Sequence, residues 1–493
     1  MAWAEFWQVA SIALYTANII LVVYVVIKLV LKKSDPIKTL SWVVILISLP
    51  YIGLILFFFF GQNYRKKKIF GRKAVQDLKL RKKITLEQIE QYKDIDSILK
   101  ELLPYKKIIL QNLESNYSLL SVDKEINFYF SGKEALEAML DSIKTAQKHV
   151  HLQSFIFEDD NIGIKFKDIL IAKAKEGVEV RVMFDSIGSR KTKNKFFKDM
   201  IKEGVEVLEF SPVRFMMPTS KINYRNHRKI LVVDGKVGFI GGVNIADRYC
   251  DGGVYKEWRD THVKIIGESV FSMQACFLLD RYFIINQHLK RRKKYYPDFE
   301  ITKPSADISD TSYYSQVITS GPDSDWASIM QCYFTAISGA QNHIYINTPY
   351  LTPTESLLNA IKITSLGGVR VSVMLPEKAD SKLIHYSTMS YIQDLLKAGV
   401  DVYLFKDGFN HSKSISIDGK FCIVGSANMD NRSMNNDFEI TSILYNESCA
   451  QTIEKQFEKD ILRCTHVSIS KWKNRDWKQK VKESFSRLVS PLL

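Results

Sequence analysis

At 493 residues the chain is longer than one hydrophobic core normally organises, so two or more domains are expected. Its formal net charge of +15 points to anionic partners: nucleic acid, anionic lipid or a phosphorylated substrate. Six cysteines scattered at 250, 276, 332, 422, 449 and 464 form no Cys-x-x-Cys, which argues against a disulfide framework and for a reduced compartment.

Phe6–Ile27 and Thr39–Phe60 are each 22 residues without a charge. As helices rising about 1.5 Å per residue, each would reach about 33 Å, enough for the hydrocarbon core of a bilayer. No basic region precedes the first and no small-x-small cleavage site is obvious, so a transmembrane helical hairpin over residues 1–60 is expected rather than a cleaved leader. The link between the two carries Lys32, Lys33 and Lys38, with Lys28 at its edge; Arg65, Lys66, Lys67, Lys68, Arg72 and Lys73 follow the second. The heavier basic flank prefers the cytoplasm, which puts the body of the chain inside. Residues 61–115 are charged and helix-prone and read as a basic linker and lead-in without chemistry of its own.

The body then repeats itself. Ala146-Gln-Lys-His-Val-His answers Ala340-Gln-Asn-His-Ile-Tyr, and Gly177-Val-Glu-Val-Arg-Val answers Gly368-Val-Arg-Val-Ser-Val. Each half alternates strand-like apolar runs with amphipathic stretches, the pattern of an α/β layered domain. The expected units are residues 116–300 and 301–493, a pseudo-twofold pair sharing one site, the second ending in a basic tail.

The repeat is sharpest at His227-Arg-Lys-Ile-Leu-Val-Val-Asp234-Gly and His411-Ser-Lys-Ser-Ile-Ser-Ile-Asp418-Gly, where His and the later Asn244 and Asn428 recur 184 positions apart. β-Branched residues ending in Asp-Gly, followed by a second apolar run, predict a β-hairpin with a tight turn. Residues two apart share a strand face, so His227 projects with Lys229 and His411 with Lys413. A His beside a fixed cation suits a phosphate. Asp234 and Asp418 complete the signature, and their place at the turn makes them support residues rather than catalysts. Asp260 and Glu439 follow the two motifs at matching places, and each is expected to hold the far ring nitrogen of the His in its own half. Gly242 stands where the second half has Ser426, so a hydroxyl donor to phosphate is available in the second half only.

The remaining histidines read as structural. His149 and His151 are two apart on a strand, as metal ligands could be, but no further Cys, His or carboxylate cluster accompanies them; His262, His288, His343, His385 and His466 have no context that repeats. Basic stretches at Arg65–Lys68, at Lys290–Lys294 and from Lys471 onward could meet anionic headgroups. The last mixes Trp472, Trp477, Phe485, Leu488 and Leu492 with Lys and Arg, as an interfacial segment would. Val213–Pro218 is an unusually apolar loop that either meets acyl chains or packs in the core.

His-x-Lys-x4-Asp-x6-Gly-(Gly/Ser)-x-Asn, present twice, resembles the signature of the phospholipase D superfamily, and with two amino-terminal hydrophobic segments the chain resembles its bacterial cardiolipin synthases. The resemblance implies two tandem phospholipase D-like domains and transfer of a phosphatidyl group between two phosphatidylglycerol molecules, giving cardiolipin and glycerol through a phosphohistidine. It implies His227 as nucleophile, with His411 as acid and then base. Lys229, Lys413, Asn244, Asn428 and Ser426 would contact the phosphate, with no cofactor and no metal. Anionic phospholipid and the bacterial cell membrane are the expected partners, and nucleic acid is not. The motifs alone leave a membrane-bound phospholipase D hydrolase and a membrane-tethered nuclease open, and oligomeric state as well.

Overall fold

The structure, a computed structural model, describes residues 2–31, 36–57, 100–211, 224–285, 292–296 and 312–490, together with 85, 86, 88, 89 and 287. The apolar loop at 213–218, the Arg65–Lys68 stretch, His288 and most of the linker lie outside the described residues. The chain divides into two compact units, one holding the amino-terminal helices and the other residues 67–212 and 225–493.

In the first unit α1 (Ala2–Leu31) has a 27-residue stretch, Glu5–Leu31, long and apolar enough to cross a membrane. The second expected span is not one helix. It divides into α2 (Pro36–Ser48) and α3 (Pro50–Leu56) because Pro50, which has no N–H to donate, opens a new helix at its first position. Val22, Leu29 and Leu46 bury one another, while most other apolar side chains here are exposed.

The second unit begins with a 3₁₀ turn (Lys100–Tyr105) and α4 (Lys106–Asn116). The first half follows as β1 (Leu120–Ser131), α5 (Gly132–Lys144), β2 (His149–Ser154), α6 (Asn161–Lys175), β3 (Glu179–Asp185), α7 (Asn194–Lys202), β4 (Glu206–Phe210), β5 (Ile230–Val233), β6 (Val237–Gly241), α8 (Arg248–Asp251), β7 (Trp258–Gly267) and α9 (Ser269–Ile285). The second half runs β8 (Tyr313–Ser320), α10 (Ser328–Gly339), β9 (His343–Asn347), β10 (Leu351–Thr352), α11 (Glu355–Leu366), β11 (Arg370–Pro376), α12 (Lys382–Lys397), β12 (Asp401–Phe405) and β13 (Phe409–Asn410). It ends with β14 (Ser414–Ile417), β15 (Phe421–Gly425), β16 (Met429–Asp430), α13 (Asn431–Asn435), β17 (Glu439–Tyr445), α14 (Glu447–Ile461), β18 (Cys464–His466), α15 (Ile469–Lys473) and α16 (Trp477–Leu488).

The two halves share one mixed sheet, ordered β18-β12-β11-β9-β14-β15-β17-β8-β1-β7-β6-β5-β2-β3-β4. Read outward from the antiparallel β1–β8 junction, the order is nearly the same in both directions, which is the pseudo-twofold. Helices cover both faces. Leu231 and Val233 of β5 point into the cluster under α5, α6 and α7, while Ile230 and Val232 point to the opposite cluster, shared with α9 and α14. Buried on both faces, β5 needs the unbroken apolar run Ile230–Val233, while the equally buried β14 alternates Ser and Ile. Residues 100–115, expected to be part of a lead-in, belong to the body: Leu102, Tyr105, Ile108, Ile109 and Leu113 are buried with Ile318, Ile329 and Tyr333 of the second half.

Candidate active site

Both motifs fold as expected at the turn. Asp234 and Gly235 have φ of 53° and 69°, Asp418 and Gly419 of 56° and 65°, the paired positive values of a tight hairpin turn. The Asp234 carboxylate accepts from the backbone N–H of Gln147, Lys148 and His149 at 2.7–2.9 Å, and Asp418 does the same for Gln341, Asn342 and His343. Each aspartate therefore ties the entry of the neighbouring strand, at the end of its own strand away from the histidine. Although grouped with the catalytic signature, neither enters the site.

The histidines lie just before β5 and β14, and each is laid against a strand of the other half. The His227 N–H donates to the Phe438 carbonyl at 2.9 Å, and the His411 N–H to the Arg259 carbonyl at 2.7 Å. This crossing decides the carboxylates. His227 Nδ1 lies 2.9 Å from Glu439 Oε1, and His411 Nδ1 lies 2.7 Å from Asp260 Oδ2. The expectation that each carboxylate serves its own half is thus corrected: Glu439 of the second half holds the first histidine, and Asp260 of the first half holds the second. The residue beside each carboxylate, Phe438 or Arg259, is the one whose carbonyl anchors the other half's histidine, so the exchange follows from the strand pairing.

Both carboxylates are fully buried. Burial alone would raise their pKa values, yet both are lowered, because Lys413 and His411 act on Asp260, and His227 and Lys229 on Glu439. An ionised carboxylate at Nδ1 requires that nitrogen to carry the proton, which leaves Nε2 as the lone-pair nitrogen. Burial, with the two lysines adding to it, lowers His227 to about 4 and His411 to about 3. Burial also lowers Lys229 to about 7 and Lys413 to about 8, against the pull of Glu439 and Asp260. Lys229 Nζ is 2.7 Å from the carbonyl of His227; Lys413 Nζ bonds the His411 carbonyl and lies 3.0 Å from its Nδ1. Each ammonium keeps donors beyond that one carbonyl. Because each histidine feels both lysines, residues from the two halves form one electrostatic site.

The remaining candidates divide. The Asn244 Oδ1 accepts from the Ile156 N–H at 3.1 Å and its Nδ2 donates to the Tyr249 hydroxyl, so this amide ties two loops together. Asn428 is buried, and its Oδ1 has no partner among the described residues. Ser426, expected to donate to phosphate, instead donates to Glu439. A Cβ on Gly242 would stand 2.1 Å from the Asp260 Oδ1. The halves therefore differ as matched pairs, Gly with Asp and Ser with Glu.

Two arginines that the sequence reading passed over complete the site. Arg228 donates to the carbonyls of Glu439 and Ser320 and pairs with Asp280 of α9. Arg259 donates to the carbonyl of Asp260 and pairs with Asp460 of α14 at 2.9 Å. Each clamps the backbone of one carboxylate to the helix following a core strand. One follows its histidine and the other precedes its carboxylate, so no repeat in the sequence marks them. The His149 and His151 imidazoles bond Gln274, and Arg181 also meets His151, which gives both histidines structural partners.

The family described as "Cardiolipin synthase, PLD-like domain" matches residues 139–257 and 333–461, segments that carry both His-x-Lys pairs and Glu439. The Phospholipase D-nuclease N-terminal family matches residues 19–62. A cardiolipin synthase of Oceanobacillus iheyensis is 35% identical over 484 residues, 97% of this chain and 98% of that protein. The chain belongs to the cardiolipin synthase family. A cardiolipin synthase of Clostridium perfringens is 38% identical over 467 residues, 94% of this chain and 96% of that protein. The crystal structure of a phosphatidylserine synthase of Haemophilus influenzae shares the fold, with a TM-score of 0.59 at 15% identity over 78% of this chain and all of that one. Cardiolipin synthases of this family are phosphatidyltransferases of the phospholipase D superfamily.

Proposed function

We propose that the chain transfers a phosphatidyl group from one phosphatidylglycerol molecule to a second, giving cardiolipin and glycerol. His227 Nε2 attacks the phosphorus as the P–O bond to glycerol breaks, and His411 gives its Nε2 proton to the departing oxygen. His411 then takes the proton of the incoming phosphatidylglycerol hydroxyl, whose oxygen displaces His227. Lys229 and Lys413 stabilise the charge on the non-bridging oxygens.

The observation that carries this reading is the pair of buried carboxylates at the two Nδ1 atoms. They fix both imidazoles with Nε2 free and stabilise the imidazolium that each must become. Below the range in which the lysines titrate, their two ammonium groups balance the Glu439 and Asp260 carboxylates while both histidines are neutral. Arrival of a phosphodiester monoanion favours one added proton on the pair, supplying one nucleophile and one acid. The family of the chain and its membrane-length first helix support lipid as the substrate. We read residues 1–60 as crossing the bacterial cell membrane twice, with the body on the cytoplasmic side as its basic flank favours.

The test is turnover of headgroup-labelled phosphatidylglycerol by the purified protein in detergent micelles. One glycerol released per cardiolipin is expected; phosphatidic acid as the sole product would make it a hydrolase, and cleavage of single-stranded DNA without lipid turnover would make it a nuclease. His227→Ala and His411→Ala should each abolish turnover in a folded protein, and near-normal activity in either would overturn the two-histidine chemistry.

A further inference from the structure

We propose that α16 is a second membrane contact, which seats the body of the protein on an anionic bilayer through an apolar stripe; the proposal rests on the reading of the chain as an enzyme of membrane phospholipid. The helix is amphipathic in the inverted sense. Trp477, Val481, Phe485 and Leu488 are 66%, 42%, 68% and 76% exposed. At about 100° per residue they fall within an arc of about 80°. The opposite face is polar and turned inward. Glu483 and Ser486 are buried, as is Ser490 just beyond the helix.

That inner face is held to α12 by polar contacts. Arg487 donates to Asp394 at 2.7 Å and to the Ser390 carbonyl, and its guanidinium lies over the Tyr391 ring. The Tyr391 and Ser490 hydroxyls are 2.8 Å apart, and Arg475 braces Glu483. A surface helix of a soluble protein buries its apolar stripe and wets its polar one. Here ion pairs and hydroxyls fix the helix to the protein, and nothing among the described residues covers the stripe.

The charge around the stripe selects the occupant. Lys471, Lys473, Lys478 and Lys482 are exposed; Lys478 adjoins the apolar arc, and Lys482 stands further round with its ammonium over the Tyr386 ring. The acidic Glu483 is already paired with Arg475. An aromatic and aliphatic stripe bordered by lysines complements an interface of anionic headgroups over acyl chains. A tryptophan at its start suits the headgroup level.

The full-length protein would be reconstituted in vesicles of phosphatidylglycerol and phosphatidylcholine carrying a lipid with a carbene-generating acyl chain, then irradiated, digested and mapped by mass spectrometry. Peptides covering 477–488 should carry lipid adducts, at least about fivefold fewer in vesicles of phosphatidylcholine alone. The triple variant Trp477→Ser, Phe485→Ser, Leu488→Ser should lose these adducts and turn over vesicle lipid more slowly, while its turnover in micelles stays at the wild-type level. Labelling of α1 with none on 477–488 would overturn the proposal and leave the lipid activity standing. An added amine-reactive bifunctional reagent that joins Lys478 or Lys482 of one copy to another copy, with no lipid adducts on 477–488, would overturn it in favour of a second copy. Loss of lipid turnover by the wild type itself would instead strike the functional reading.

Discussion

Replacing Glu439 with Gln tests the exchange of carboxylates between the halves. Glu439 is fully buried, accepts from His227 Nδ1 at 2.9 Å and lies 212 residues away from it in the chain. Gln has the same shape without the charge, so the imidazolium that forms as His227 bonds phosphorus loses its counter-charge. A hydrogen bond to a charged group contributes about 1.5–3 kcal/mol net, which is about 10- to 150-fold in rate when the bond matters in the transition state. The assay isolates the first step. In a His411→Asn background, a phosphatidyl ester with a good leaving group needs no acid and should accumulate as an adduct on His227, detected by digestion and mass spectrometry. Adding Glu439→Gln should slow adduct formation by that factor. Adding Asp260→Asn should change it within about threefold, because its partner is already gone. The reverse pattern, Asp260 decisive and Glu439 indifferent, would refute the crossed pairing. An adduct on His411 in a matching His227→Asn trap would reverse the assignment of nucleophile.

Lys229→Ala and Lys413→Ala should each lower turnover at least about 100-fold in micelles, the scale for removing one transition-state donor to developing oxyanion charge; losses under about threefold at both would count against phosphate binding by the lysines. Because the amines titrate near about 7 and about 8, kcat/KM for the anionic lipid should fall as pH rises through that range, and on the acid side as His227 protonates near about 4. Lys229→Arg, permanently charged, should move the alkaline limb upward if it remains active. Turnover in micelles should survive chelation by EDTA, since two ammonium groups occupy the place where a cation is needed, and recovery that depends on added metal would contradict this. Arg259→Met should destabilise the fold by about 3–5 kcal/mol by leaving the buried Asp460 without its counter-charge, and Arg259→Met with Asp460→Leu should recover part of it in thermal unfolding, the bond to the Asp260 carbonyl staying lost.

What could be read from the sequence was local. The hairpins, the His-x-Lys face and the turn role of Asp234 and Asp418 depend on residues within a few positions, where strand period and Asp-Gly chemistry decide. The carboxylates could be chosen by their place after each motif but not assigned, because 151 and 212 residues separate the bonded pairs and both assignments fit the spacing. Only the strand pairing of His227 with Phe438 and of His411 with Arg259 breaks the tie. Ser426 is a nearer case: the Gly-Ser difference offers its hydroxyl to phosphate, whereas the pairing of β15 with β17 turns it to Glu439, 13 residues on in the same half. Residues 100–115 read as a lead-in because their partners lie about two hundred residues on, as in the Asn112–Gln316 bond. A lack of charge marks 39–60 as one segment, and the break at Pro50 follows from a residue that a charge count passes over.

The stereochemistry at phosphorus tests the central claim most directly. Two successive in-line displacements, first by His227 and then by the second lipid's hydroxyl, each invert the centre and together retain it. Phosphatidylglycerol made chiral at phosphorus with oxygen isotopes or sulfur should therefore give cardiolipin of retained configuration. Inversion would mean direct transfer from lipid to lipid and would contradict the phosphohistidine account.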